Sequence, residues 1–572
     1  MPVITVINQN RIIPCPTGSN LMQVLRDSNV FLESPCSGLG TCGKCRVQII
    51  SGTLADPSPD EKRHLSADDL ARGIRLSCMV QVMNDMSIKL QTHSKTPPVL
   101  TDGYLPDFYP DRLSDGFGIA VDLGTTTIAM SLIDLHSGRE IGHTSAINGQ
   151  HCYDLDVLSR INWECMHGEE GIYELQSAVI DSINHMLDDL YRQFNILKTQ
   201  INEIVISANC TMTHMLLGED ARGIGKAPYQ PIFLSSQTRN AHQIGLNTGE
   251  NTILYCLPQV SSYIGGDIVA GICACQLKQS AGNRLFLDIG TNGELVLSCN
   301  GKLISCSCAA GPALEGMNIQ CGMRAAEGAI EDIQIQQGEV SLQTIQNSSP
   351  VGLCGSGILA AVRELNRNHY IKKNGAFLSP EALPDQDPRR KILHFIQKKK
   401  EVVLCHDPEI VITQNDIRQV QLAKGAILSG VTSLLNYAGI SPDKLDEVIV
   451  AGQFGSHLPA SSLTGTGLLP QELEDKIRYV GNTSKTSAYL ALLSSSKRTE
   501  METLVHEMEY LELSQMPNYQ EIFLESLQFP QLNQKSTKKG SASQVEADPF
   551  LHSIFCFESF PDDFLPSVLQ QT

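Results

Sequence analysis

Four cysteines raise the first chemical question. Cys36, Cys42, Cys45 and Cys78 stand in the spacing C-x5-C-x2-C-x32-C, the first three within ESPCSGLGTCGKCRV. Thiolates are soft ligands for iron or zinc, and a loop that turns three of them toward one centre needs glycines so that backbone amides can face inward. Gly38, Gly40 and Gly43 sit where that need arises. Structural zinc sites usually pair two short knuckles, whereas here one C-x2-C knuckle is followed by a lone distant cysteine. The spacing therefore favours an iron–sulfur centre over zinc or plain buried thiols, with a first gap one residue longer than in plant-type ferredoxins. Cys15 reads as a core thiol.

The elements around these cysteines must hold them. ITVINQNRIIPC alternates as a hairpin with Asn8-Gln9-Asn10 at its turn, SNLMQVLRDSN reads as a helix capped by Ser19, and CRVQIISG is a strand. Residues 54–82 supply a helical turn or two and then the fourth cysteine, after which MSIKL closes the sheet. This order resembles the β-grasp ferredoxins that carry a 2Fe-2S cluster, over residues 1 to about 92.

A second pattern lies beyond a proline-rich joint. GIAVDLGTTTIAMSLIDL (118–135) and LFLDIGTNGELVLSCNGK (285–302) both read as a strand, Asp-x-Gly-Thr and a returning strand. The glycine allows a tight hairpin whose amides and threonine hydroxyls can face a phosphate, and the aspartate can hold magnesium or its water. The duplicated motif resembles the paired phosphate loops of the acetate/sugar kinase, heat-shock chaperone and actin (ASKHA) superfamily. EVIVAGQFGSHL (447–458) brings Gly452 and Gly455 after a buried strand, VGLCGSGILAAVREL (351–365) opens a helix with Gly352, Gly355 and Gly357, and YIGGDIVAGICACQL (263–277) puts Asp267 at a helix start. Taken singly, each of these is explained as well by capping or close packing. Cys306, Cys308 and Cys321 read as buried thiols, His214 as a core or capping histidine, and Asp134–Gly138 as a turn.

Length and charge bound what the parts can do. A chain of 572 residues exceeds what one core organises and predicts about three domains. With 42% apolar and 18% charged residues it is of ordinary globular composition. A net charge of −19 opposes nucleic acid and anionic membrane surfaces, and Lys398–Lys400 and Lys538-Lys539 read as solvated surface. No apolar run suits a membrane span and MPVITVINQNRIIP lacks a secretory signature, so the expected location is cytoplasmic.

The expected fold is thus a mixed α+β and α/β multidomain chain. It comprises a 2Fe-2S ferredoxin-like domain (1–92), a proline-rich linker (93–117) that leaves the cluster domain free to swing, the first lobe of an actin-like ATPase core (118–282), its second lobe (283–530) and a polar, partly disordered tail (531–572) with an apolar end.

The order of the ferredoxin cysteines, DLGTTTIAMSLIDL, LDIGTNGELVL, AGPALEGMNIQCGMRAAEGAIE, GLCGSGIL, AGQFGSHL and VGNTSKTSAYLALLS resembles the reductive activators of corrinoid proteins, over residues 1 to about 530. The lone Cys556 near the C-terminus matches the 2Fe-2S branch rather than members with two C-terminal four-iron clusters. The resemblance implies ATP-dependent transfer of single electrons that returns inactive Co(II) of a partner's corrinoid to Co(I), in methyltransferase systems of anaerobic one-carbon metabolism. It implies a cluster on Cys36, Cys42, Cys45 and Cys78, a first phosphate loop of Asp122, Gly124, Thr125 and Thr126, and a second of Asp288, Gly290 and Thr291. Gly452 and Gly455 would lie beside the nucleotide, with Asp122, Asp267 and Asp288 as magnesium candidates. Partners would be a corrinoid-carrying methyltransferase protein and a low-potential donor such as a ferredoxin, flavodoxin or reductase, with a homodimer suggested by the family alone. The alternative is an ATP-dependent kinase, or an activator of a non-corrinoid radical or dehydratase enzyme, with the cluster as sensor or donor. No catalytic base is evident after the second phosphate loop. An inert adaptor role fits poorly with four complete cluster cysteines.

Overall fold

The computed structural model describes residues 1–28, 30, 32, 38, 40, 43–90, 103–153, 156–279, 281–290, 292–396, 399–452 and 458–531. Cys36, Cys42, Thr291, Gly455 and the tail from 532 lie outside the described residues.

The N-terminal sheet follows from alternation. In Val3–Val6, Ile4 and Val6 are fully buried and the residues between them face out. This strand pairs antiparallel with Arg11–Pro14 and parallel with Met86–Leu90, which in turn pairs with Arg46–Ser51 and then Ile74–Leu76. Helix Leu21–Asp27 lays Leu21, Val24 and Leu25 on that sheet. Its cap is Asn20 rather than Ser19, because Ser19 pairs with Val82 in a short ladder while Asn20 accepts the Gln23 amide at 3.2 Å. Asn20 Nδ2 also donates to the Cys78 carbonyl at 2.7 Å, tying the helix start to the turn that carries the cysteine.

The remainder holds two six-stranded sheets of one plan. In the first, Phe117–Leu123, Thr127–Asp134 and Arg139–Ile147 form an antiparallel meander, and Ile201–Ala208 then Ile253–Cys256 add parallel on its other side. In the second, Arg284–Ile289, Gly293–Cys299 and Lys302–Cys308 repeat the meander, with Glu447–Ala451 and Ile477–Gly481 added parallel. The duplicated motif thus sits at the same corner of two equivalent sheets. Helix Glu169–Phe194 covers the first with an apolar stripe of Leu175, Val179, Ile183, Met186 and Leu190, each burial contributing about 1.5–3 kcal/mol. Helices Gly355–Arg367 and Gln414–Ala438 belong to the second core.

Two features depart from the expected organisation. Helix Thr483–Leu493 lies late in the chain yet packs on Phe117–Leu123, Ile201–Ala208 and helix Gly266–Ala274, so the late chain returns to the first sheet. The joint is not a free tether throughout its length either. Gly103 bridges to Gly481, Tyr104 N donates to the Val480 carbonyl at 2.7 Å, Phe108 meets Tyr489 edge to face, and Arg112 N donates to the Leu493 carbonyl at 3.1 Å. Residues 103–116 are instead strapped along the core by these contacts.

Candidate functional site

The described half of the cysteine site suits a cluster. Cys45 and Cys78 are buried with their Sγ atoms 3.3 Å apart, close enough for both thiolates to bind one iron. Cys45 leads into strand Arg46–Ser51, Cys78 sits in a 3-10 turn after Ile74–Leu76, and the Ser77 amide donates to the Cys45 carbonyl at 2.8 Å. Gly43 has φ +66°, and a Cβ there would come within 2.7 Å of His64. Only glycine keeps that loop both tight and left-handed. Behind the site, buried Glu61 accepts from Arg75 Nε at 2.8 Å and Arg75 NH2 at 2.7 Å, and from the Leu76 amide at 3.1 Å. Next to Cys45, Lys44 Nζ reaches the nucleotide core, donating to the carbonyls of Ile319 at 2.8 Å, Gly322 at 3.2 Å and Gln320 at 3.4 Å.

The nucleotide candidates converge where the two hairpins face each other. In the first, the Gly124 amide closes the turn onto the Thr127 carbonyl at 3.0 Å and is itself taken up by that bond. The Thr125 and Thr126 amides find no acceptor among the described residues. The loop is braced from behind: Asn148 Nδ2 donates to the Gly124 carbonyl at 3.0 Å, Arg160 NH2 to the Thr125 carbonyl at 2.8 Å and Asn209 Nδ2 to Thr125 Oγ1 at 3.2 Å. Gly290 repeats the closure onto the Asn292 carbonyl at 2.9 Å, and among the described residues a Cβ there would meet nothing nearer than 3.7 Å. Gly452, at φ +88°, lies beside the second loop, and a Cβ on it would press to 2.5 Å from Asp288 Oδ1. Glycine at 452 is what lets Asp288 pack against this backbone.

Four carboxylates share this cleft. Burial pushes Asp288 up to about 7, helped by the charge of Asp122, and Asp267 up to about 7, helped by Asp288. Asp122 is raised by burial too, against the hydrogen bonds of Ser484 and Asn482 and the nearby Lys485. The fourth is Glu294, opposite Asp288 across the hairpin and raised well above its ordinary value by burial and then by Asp267 and Asp288. Glu294 is thus a carboxylate that follows the second loop and whose proton is held more tightly than usual. Among the described residues no three such groups close into a metal-holding set. Asp122 is moreover engaged on both oxygens, by Ser484 Oγ at 2.7 Å and Asn482 Nδ2 at 2.8 Å.

Other singled-out residues serve the fold. Gly357 lets its helix approach Ile330, whose carbonyl would lie 2.0 Å from an added Cβ. His214 is buried, stacked 4.1 Å from Phe233 and bonded to the Cys210 carbonyl at 2.8 Å. Cys306 and Cys308 are buried thiols, burial pushing both up.

A ferredoxin module joined to a two-lobed core with paired phosphate hairpins defines an iron–sulfur protein of the ASKHA class. Comparison with known proteins agrees segment by segment. Residues 4–83 match the 2Fe-2S iron–sulfur cluster binding domain, 117–280 the RACo middle region and 282–540 the C-terminal domain of RACo, the ASKHA domain. The chain is 29% identical over 449 residues to corrinoid activation enzyme RamQ of Eubacterium limosum, covering 77% of this chain and 75% of that one. It is 24% identical over 412 residues to the [Co(II) methylated amine-specific corrinoid protein] reductase of Methanosarcina barkeri, covering 67% and 71%. The solved structure of a reductive activator for corrinoid, iron–sulfur protein superposes with a TM-score of 0.64 at 28% identity, over 93% of this chain and 98% of that one. The chain belongs to the family of reductive activators of corrinoid proteins. No helix among the described residues is long and apolar enough to cross a membrane.

Proposed function

We propose that this protein passes single electrons from a low-potential donor to a corrinoid protein, converting inactive Co(II) to methyl-accepting Co(I), with ATP binding or hydrolysis supporting the transfer. The observation that carries this reading is the direct contact of the two functional halves: Lys44, adjacent to Cys45, hydrogen-bonds the 319–322 loop of the nucleotide core. A bound 2Fe-2S cluster supplies a one-electron carrier. An unfavourable step of 59 mV costs a factor of about ten in equilibrium constant, so a low-lying Co(II)/Co(I) couple is reduced appreciably only when nucleotide or binding energy assists.

Within this reading Cys36, Cys42, Cys45 and Cys78 hold the iron. The open amides of Thr125 and Thr126, together with Gly290, receive phosphates, with Thr291 beside them. Gly452 and Gly455 keep the backbone close to the nucleotide. Because Asp122 is already engaged, a magnesium ion entering with ATP meets Asp267 and Asp288 first, and its charge relieves their mutual repulsion. Glu294 is placed to hold a proton near the transferred phosphate. The working location is the cytoplasm of an anaerobe.

The test is anaerobic: reconstituted protein, a chemical reductant and a Co(II) corrinoid protein, watched in the visible range with and without Mg-ATP. Co(I) should form faster or further with ATP and not at all with Cys78→Ala. ATP-dependent phosphorylation of a small molecule, with cobalt remaining Co(II) against every corrinoid partner, would replace this reading with the kinase.

A further inference from the structure

The strap and the first phosphate loop meet on one helix. Helix Thr483–Leu493 is held at its start by Gly103, which bridges to Gly481 and lies so close that a Cβ would stand 2.2 Å from the Asn482 carbonyl and 2.5 Å from Thr486 Oγ1. Phe108 packs on Tyr489 at its middle, with ring centroids 5.8 Å apart. At its end Arg112 N donates to the Leu493 carbonyl at 3.1 Å, Arg112 NH1 reaches the Ala491 carbonyl at 3.2 Å, and Asp111 Oδ1 accepts the Ser495 amide at 2.6 Å. The first turn of the same helix contacts the cleft: Asn482 and Ser484 fill both oxygens of Asp122, and Ser484 Oγ lies 2.9 Å from Ser207 Oγ on the neighbouring strand.

We propose that Asn482 and Ser484 are positioning residues for Asp122, and that the strap of residues 103–112 sets their place. The strap and the first nucleotide loop then move as one unit. This rests on the reading of the cleft as an ATP site. Packed side chains and hydrogen-bonded elements transmit displacement because such interfaces shift between discrete arrangements rather than deform smoothly. A rearrangement at Asp122 on nucleotide binding shifts the helix start, and Gly103 has no slack against Asn482. Position of the strap therefore reports nucleotide state, and by linkage anything that displaces the strap changes ATP affinity by the same factor.

The experiment uses the full-length, cluster-loaded protein and Mg-ATP as probe. In the native chain, ATP binding should slow hydrogen exchange in 103–112 and 482–493 together with the 122–127 loop. Gly103→Val should weaken ATP binding at least threefold, and Ser484→Ala should lower kcat/KM for ATP hydrolysis about tenfold. The 2Fe-2S absorbance should stay unchanged, and Ser484→Thr, which retains the hydroxyl, should recover most of the loss. A purely structural helix would instead show a lowered melting temperature with kcat/KM intact. Protection confined to 122–127, or ATP affinity indifferent to Gly103→Val, overturns the inference and leaves the ATP site standing. A native chain that does not bind Mg-ATP removes both. If Gly103→Val does not fold, the exchange pattern of the native chain decides alone.

Discussion

Lys44 Nζ donates to the Ile319 carbonyl at 2.8 Å, joining the residue beside cluster cysteine Cys45 to a loop 275 positions later. That loop is itself fixed, since the Gln320 amide donates to Asp416 Oδ1 at 2.9 Å and the Cys321 carbonyl accepts the Leu353 amide at 2.8 Å. A hydrogen bond to a charged group contributes about 1.5–3 kcal/mol, so losing this contact shifts docking of the cluster module by about 10- to 100-fold. Lys44→Met should raise the radius of gyration measured anaerobically by small-angle scattering, with the visible spectrum of the cluster unchanged. An unaltered radius would mean that other contacts hold the module.

Asp288 faces Asp122, Asp267 and Glu294, and this crowding of like charges is a cost the unliganded core carries for its site. Asp288→Asn should raise the melting temperature of the nucleotide-free protein by a few degrees, at about 2–4 °C per kcal/mol for a core of this size. The same change should weaken Mg-ATP binding tenfold or more in isothermal titration. Equal affinity in the variant would remove Asp288 from the nucleotide contacts.

What could be read from the sequence was local. The glycine-rich cysteine loop and the two Asp-x-Gly-Thr hairpins announce themselves because a turn and its flanking strands lie within twenty residues. Asn482 and Ser484 carry an equally local signal, a polar cap after a strand, but their target Asp122 lies 360 and 362 positions away and no periodicity encodes that distance. Glu294 was hidden by alternation, since an acidic residue on a strand reads as solvent-facing until a facing lobe covers it. Prolines in 103–116 suggest extended backbone, but extended backbone says nothing of the surface it lies on. The glycine of Asp-x-Gly-Thr signals the tight turn, and the Gly124 amide is the one that closes it.

Glu61 and Arg75 form a bidentate pair with Glu61 fully buried, two residues of sequence away from the turn carrying Cys78 on the Arg75 side. Burial alone would raise the Glu61 carboxyl, yet its bonds to Arg75, Ser58 and Leu76 hold it below the ordinary range. With a depressed folded value, its contribution is complete above about pH 4.3 and is lost as pH falls through the folded value. Glu61→Gln leaves the Arg75 charge buried without its counter-ion and should cost about 3–5 kcal/mol. Denaturant unfolding of the metal-free protein between pH 3 and 6 should show that cost at pH 6 and a shallower loss toward pH 3. A parallel displacement at all pH values would exclude the charge as the cause.

Lys424 is fully buried in helix Gln414–Ala438, where its Nζ donates to the Gln528 carbonyl and lies 5.4 Å from the Phe529 ring centre. It anchors the final described segment, which Gln421 Nε2 also grips through the Leu527 carbonyl at 3.0 Å and Asn366 Nδ2 through the Pro530 carbonyl at 2.9 Å. Among the described residues no carboxylate offsets its charge, and burial lowers the ammonium to about 7. An unfolded lysine keeps its proton to about pH 10.4, so between those values the unfolded chain binds more protons and stability rises with pH. The penalty is full below pH 7 and fades toward pH 10. Lys424→Met keeps the volume and removes the charge, so the melting temperature should rise at pH 6.5 by about 5 °C more than at pH 9.5. An equal loss at both pH values would mean instead that the bond to Gln528, rather than the cost of the charge, governs this site.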